Sequence, residues 1–132
     1  MKRLAIFVGC LMMLVASTVE ANSTFNKFWK EKFLPEDVDE GFKDAARKQG
    51  CYICHVYGEK KDEVRNEYGT AIHEYLKAED FPKDYVKDNP EEAKAKIWEG
   101  FAKAGKHKSK DGKAFEDKIK NNEIPATDSG KE

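Results

Sequence analysis

Residues Cys51-Tyr52-Ile53-Cys54-His55 form a C-x-x-C-H run, and no other stretch limits the fold as strongly. Two thiols three positions apart can each form a thioether to one vinyl group of a haem. The imidazole directly after the second thiol then lies against the iron as its proximal ligand. A chain built this way must fold around a flat prosthetic group fastened at two points. The composition agrees. Charged residues make up 37% of the chain, so most helix surfaces must face water and a core of side chains alone would be thin. A covalently held haem c, fixed through Cys51 and Cys54, adds apolar mass that a small domain otherwise lacks.

Three rival readings of the run are weaker. A thioredoxin-like dithiol needs a strand-and-helix setting, and neither flank supplies one. A zinc site needs two further ligands, and Cys51, Cys54, His73 and His107 could formally make a Cys2His2 set, but their spacing matches no finger pattern. A structural disulfide between cysteines three apart would close a tiny loop and remove little unfolded-state entropy.

The first residues read as a leader. Lys2 and Arg3 precede an apolar run from Leu4 to Val15, and Ser17 to Ala21 is a small-residue stretch suited to cleavage after Ala21. The apolar run is short for a membrane span, so no stable span is expected in the mature chain. Cys10 would leave with the leader. The expected division is therefore a signal peptide at 1–21, one domain at 22–124 and a flexible polar tail at 125–132. Export places the protein in a periplasmic or equivalent compartment. Of the 24 basic and 25 acidic residues, the leader takes Lys2, Arg3 and Glu20, leaving 22 basic against 24 acidic. That balance excludes a nucleic-acid partner on charge grounds.

The apolar residues recur at helical spacing, without strand-like alternation. The pattern predicts an all-α domain of four to five short helices wrapped around one haem, in a cytochrome c-like arrangement. A first helix carries Phe25, Phe28, Trp29 and Phe33 and stops at Pro35. A second starts at Glu36 and Asp37, buries Val38, Phe42, Ala45 and Ala46, and runs to Gly50. A third spans about 62–77 with Val64, Tyr68, Ala71, Ile72 and Tyr75 inward. Residues 80–89 read as a loop. A fourth helix starts at Pro90 and buries Ala93, Ile97, Phe101 and Ala104. Lys106 to Gly112 is a basic connector, and a last short helix spans about 113–120.

The sixth position of the iron is the open question. Methionine, a frequent occupant, occurs only at Met1, Met12 and Met13, all in the leader. His73, His107, a lysine, water or nothing remain. Helix phase puts His73 roughly 140° from the centre of the third helix's apolar stripe, facing water. His107 continues the inner face of the fourth helix and has enough chain behind it to fold back across the haem. It is favoured as distal ligand, with His73 as the alternative. Arg65 is placed to pair with a haem propionate and Tyr68 to hydrogen-bond it; a surface charge and a plain core ring are the alternatives. Gly69 would permit close approach of helix and porphyrin. Trp29 and Trp98 read as packing. The lysines of 103–113 form either a docking patch for an acidic partner or a solvated face.

The leader, C-Y-I-C-H and the helical pattern resemble the small monohaem c-type cytochromes. The longer pattern, C-Y-I-C-H-V, then R-N-E-Y-G-T-A-I, K-D-G-K-A-F and I-P-A, is similar to a subgroup found in planctomycete and anammox bacteria. In that subgroup a pair with histidine–cysteine ligation binds nitric oxide and carbon monoxide. This chain departs there, having no third cysteine outside the leader. The resemblance implies an exported one-electron carrier, not an enzyme, working with redox partner proteins. A gas-binding role with a displaceable sixth ligand is the alternative. Pairing as a homo- or heterodimer stays open.

Overall fold

The computed structural model describes residues 23–132; the expected leader at 1–21 lies outside them. Among the described residues there are six α-helices and two short 3-10 turns, with only isolated antiparallel bridges at His55–Arg65 and Lys108–Ala114. The domain is all-α. No helix among the described residues is long and apolar enough to cross a membrane.

Helix α1 (Ser23–Phe33) buries Phe28 and Trp29, and Pro35 follows its end. Helix α2 (Glu40–Gln49) begins where the Asp39 side chain accepts from the Phe42 N–H at 2.8 Å. It stops at Gly50, whose φ of 53° lies in the left-handed region open to glycine. The motif follows at once in a 3-10 turn, Gly50–Ile53. Helix α3 (Glu67–Tyr75) leads away from the motif. A short α4 (Lys83–Asp88) precedes α5 (Pro90–Gly105), which opens with proline at its first turn, and α6 (Phe115–Lys120) closes the set.

Helix α5 is the centre of the packing. It touches α1, α3, α4 and α6, and its inner face carries Ala93, Ile97, Phe101 and Ala104, as its spacing predicts. Around it gather Phe28, Trp29, Phe42, Ile53, Tyr68 and Phe115. Ring contacts run Trp29–Phe33–Phe101 at centroid distances of 5.2 and 6.1 Å.

Three elements and one side chain differ from expectation. Helix α2 starts at Glu40, because Asp39 provides the cap while the Glu36 carbonyl instead accepts from Lys43 Nζ at 2.6 Å. Helix α3 starts at Glu67, not 62. Residues 60–64 form a turn, with Val64 N–H donating to Lys60 O at 2.8 Å, so Val64 lies outside the helix despite its helical phase. Residues 83–88, read as loop, form α4. Tyr75, expected inward, is 42% exposed.

The expected flexible tail at 125–132 is instead packed on the domain. Pro125 and Ala126 are buried, and the residues after them bond to the body of the fold. Tyr57 N–H donates to Ser129 O at 2.7 Å, and Gln49 Nε2 donates to Lys131 O at 2.9 Å. The composition is polar, but hydrogen bonds to the body of the fold and two buried anchors, Pro125 and Ala126, hold it.

Candidate functional site

The motif is held by the segment directly before α3. His55 Nδ1 lies 3.2 Å from the Val64 carbonyl oxygen. A carbonyl can only accept, so Nδ1 carries the hydrogen and Nε2 keeps its lone pair in the neutral ring. A carbonyl bonded to one ring nitrogen is the usual way a ligating histidine is oriented. Burial holds the His55 pKa below its ordinary value; the Val64 bond opposes this, and the charges of Arg65 and Lys61 add to it. The neutral form that binds metals is thus favoured.

Cys51 and Cys54 are both free thiols. Cys51 is exposed, whereas Cys54 sits further in. Burial first, then the neighbouring Cys51, push the Cys54 thiol up to about 12, against a smaller opposing effect of Arg65. Arg65 is half-buried and bridges to His55 through the main chain. Tyr68 is fully buried. Its hydroxyl accepts from Trp29 Nε1 at 3.0 Å, and its ring packs on Phe115 at 5.0 Å. Burial, with Cys54 adding, raises the Tyr68 pKa, so the phenol stays neutral. The structure therefore brings Cys51, Cys54, His55, Arg65 and Tyr68 into one neighbourhood.

Gly69 explains how closely α3 approaches. A Cβ there would lie 1.9 Å from the Cys54 carbonyl oxygen. The glycine admits the motif's own backbone against the helix, where the sequence suggested a porphyrin.

The two other histidines lie further along α3 or beyond it. His73 follows Gly69 by one turn and Asn66 by two, so it shares their stripe. It is half-buried, where helix phase pointed it to water. His107 is not brought to the motif. Its Nε2 shares a hydrogen bond of 2.8 Å with the Tyr75 hydroxyl and stands 3.7 Å from Glu74 Oε2. Tyr75 is the last residue of α3, about 9 Å along the axis from Gly69. Cys51, Cys54, His73 and His107 are not gathered into one donor set among the described residues. The lysines of 103–113 are largely matched by carboxylates: Lys103 with Glu99 at 2.7 Å, Lys110 with Asp128 at 2.7 Å and Lys113 with Glu123 at 3.0 Å.

The contacts made by two positions beside the motif escaped the sequence reading. Asn66 is fully buried against the motif. Glu67 ties α3 to two distant segments: its Oε1 accepts from Ser109 Oγ at 2.6 Å and from Thr127 N–H at 2.7 Å, and its Oε2 from Lys110 N–H at 2.7 Å. Desolvation pushes the Glu67 pKa up, but those hydrogen bonds outweigh it and hold the carboxyl below its usual value. Three donors from distant segments leave no trace in local sequence, although an Asn-Glu pair ahead of an apolar run is a readable helix start.

Compared with protein-family models, with curated proteins and with solved structures, the chain matches none.

Proposed function

We propose that this chain is an exported monohaem c-type cytochrome that carries single electrons. The observation that carries the reading is the donor set at 51–55. Two unbridged thiols three positions apart are followed by an imidazole whose Nδ1 is already taken by the Val64 carbonyl. Nε2 is the atom left to bind iron. When bound, the haem supplies one-electron cycling between ferrous and ferric iron. The chain's own residues do the rest. Cys51 and Cys54 anchor the group, and His55 ligates. Arg65 offers a positive charge for a propionate. Tyr68 and Trp29, bonded to each other, form a dry wall beside Cys54.

A histidine is proposed for the sixth position. His107 would have to give up Tyr75, whereas His73 already lies on the α3 stripe that faces the motif. Bis-histidine ligation lacks the thioether that raises potential, so a low midpoint is expected.

The first test is the mass and colour of the mature protein made in a host competent for haem attachment. A mass equal to the bare polypeptide ends the proposal. His73→Ala and His107→Ala, made singly, then report the sixth ligand through the low-spin haem bands; if neither moves the spectrum, both assignments fail. Carbon monoxide added to the ferrous protein separates the carrier from a gas binder. An inert spectrum fits the carrier, and a fast, complete shift favours the binder.

A further inference from the structure

We propose that Asn66 is the positioning residue for the proximal ligand, holding the whole C-terminal half of the motif so that His55 presents Nε2 in one direction. This rests on the haem reading above. The four successive carbonyls of residues 52–55 converge on this one residue. Asn66 Nδ2 donates to Tyr52 O at 3.0 Å, to Ile53 O at 2.9 Å and to His55 O at 3.3 Å. Asn66 main-chain N–H donates to Cys54 O at 3.0 Å. Its Oδ1 meanwhile caps α3 by accepting from Gly69 N–H at 2.8 Å. The side chain is 0% exposed.

Only a carboxamide of this length does both jobs. Two amide hydrogens are shared among three carbonyls, and the amide oxygen is already engaged in the cap. Aspartate keeps the cap but sets a second acceptor against three carbonyl oxygens. Serine keeps a cap oxygen and leaves those carbonyls without their donor. Two residues earlier, the Val64 carbonyl holds the His55 ring. Segment 64–66 therefore grips His55 at both ends, main chain by Asn66 and ring by Val64. Asn66 touches neither iron nor porphyrin in this account; it acts through the histidine.

The test compares the haem-loaded wild type with Asn66→Ser, Asn66→Asp and Phe101→Leu. Phe101 is a buried core ring on α5 and serves as a control for lost stability alone. The readouts are the reduction midpoint, the low-spin bands and the ring-shifted His55 proton resonances of the ferrous form. Asn66→Ser is expected to shift the midpoint and broaden or split those resonances, and Asn66→Asp to lower the fraction of chains carrying two thioethers. Phe101→Leu is expected to lower the urea midpoint and leave the spectra alone. If Asn66→Ser keeps the wild-type resonances and potential while losing stability as Phe101→Leu does, the positioning role is refuted. Should the variants fail to accumulate, the wild type alone still decides. Asn66 side-chain amide protons are expected to exchange slowly, and free exchange at the solvent rate overturns the proposal. A wild type that carries no haem defeats the functional reading instead, which keeps the two failures apart.

Discussion

Replacing Gly69 with alanine sets two effects of opposite sign against each other. Alanine is the better helix former, and in an exposed helix interior the change gains about 0.5–1 kcal/mol. Here the new Cβ would lie 1.9 Å from Cys54 O, 2.8 Å from its carbonyl carbon and 3.0 Å from its Cα, all main-chain atoms that cannot rotate aside. Reaching ordinary contact at 3.4 Å requires a displacement of about 1.5 Å between α3 and the motif. Overpacking of this kind costs about 1–3 kcal/mol. The same displacement stretches the bonds from Asn66 to the motif carbonyls, which start at 2.9 to 3.3 Å. Each contributes about 0.5–1.5 kcal/mol net. Setting the helix gain against these losses gives a destabilisation of about 3 kcal/mol, or roughly 15 °C in Tm for a domain of this size. Urea unfolding followed by far-UV circular dichroism measures it, with wild type and variant at the same loading. A variant as stable as wild type, or more so, would mean that helix propensity governs and that α3 does not press on the motif.

Two further outcomes follow from the ties around Glu67. Its carboxyl titrates below the unfolded-chain value of 4.5, so its stabilisation is fully present above that pH and is lost as pH falls through the lower folded value. Glu67→Gln should therefore be less stable than wild type near neutrality, with the gap closing as pH falls below 4.5; a gap that stays constant in urea melts as the pH is lowered would remove Glu67 from the account. Deleting residues 127–132 removes the bonds of Thr127 and Asp128 to Glu67 and of Ser129 to Tyr57, and should cost about 2 kcal/mol while speeding exchange at the Tyr57 amide. Unchanged stability and exchange would show that the segment does not hold the fold.

Local signals were readable where one element settles them. The apolar spacing of α1 and the proline opening α5 speak for themselves. What was missed depends on distant partners. Val64 fits a helical stripe, but its carbonyl is needed by His55, and the helix begins two residues after it at the Asn66 cap. Helix α4 is six residues between Pro82 and Asn89, too short to show a period. The polar end of the chain looked loose because nothing near it in sequence reveals that Glu67 accepts from Thr127. His107 sits among lysines, and its companion Tyr75 belongs to another helix. The role of Asn66 does not show in the sequence, since convergence of four carbonyls on one residue is a property of the folded chain.

The unequal placement of the two sulfurs has a consequence for any copy in which both thiols stay free. Cys51 stands open to solvent, while Cys54 is enclosed and its thiol is pushed up to about 12. Thiolate, not thiol, is the attacking species in exchange chemistry. Under oxidising conditions only the outer sulfur of such a copy is open to a partner, and its first covalent mistake would be a bridge to a neighbouring molecule, with the inner sulfur spared.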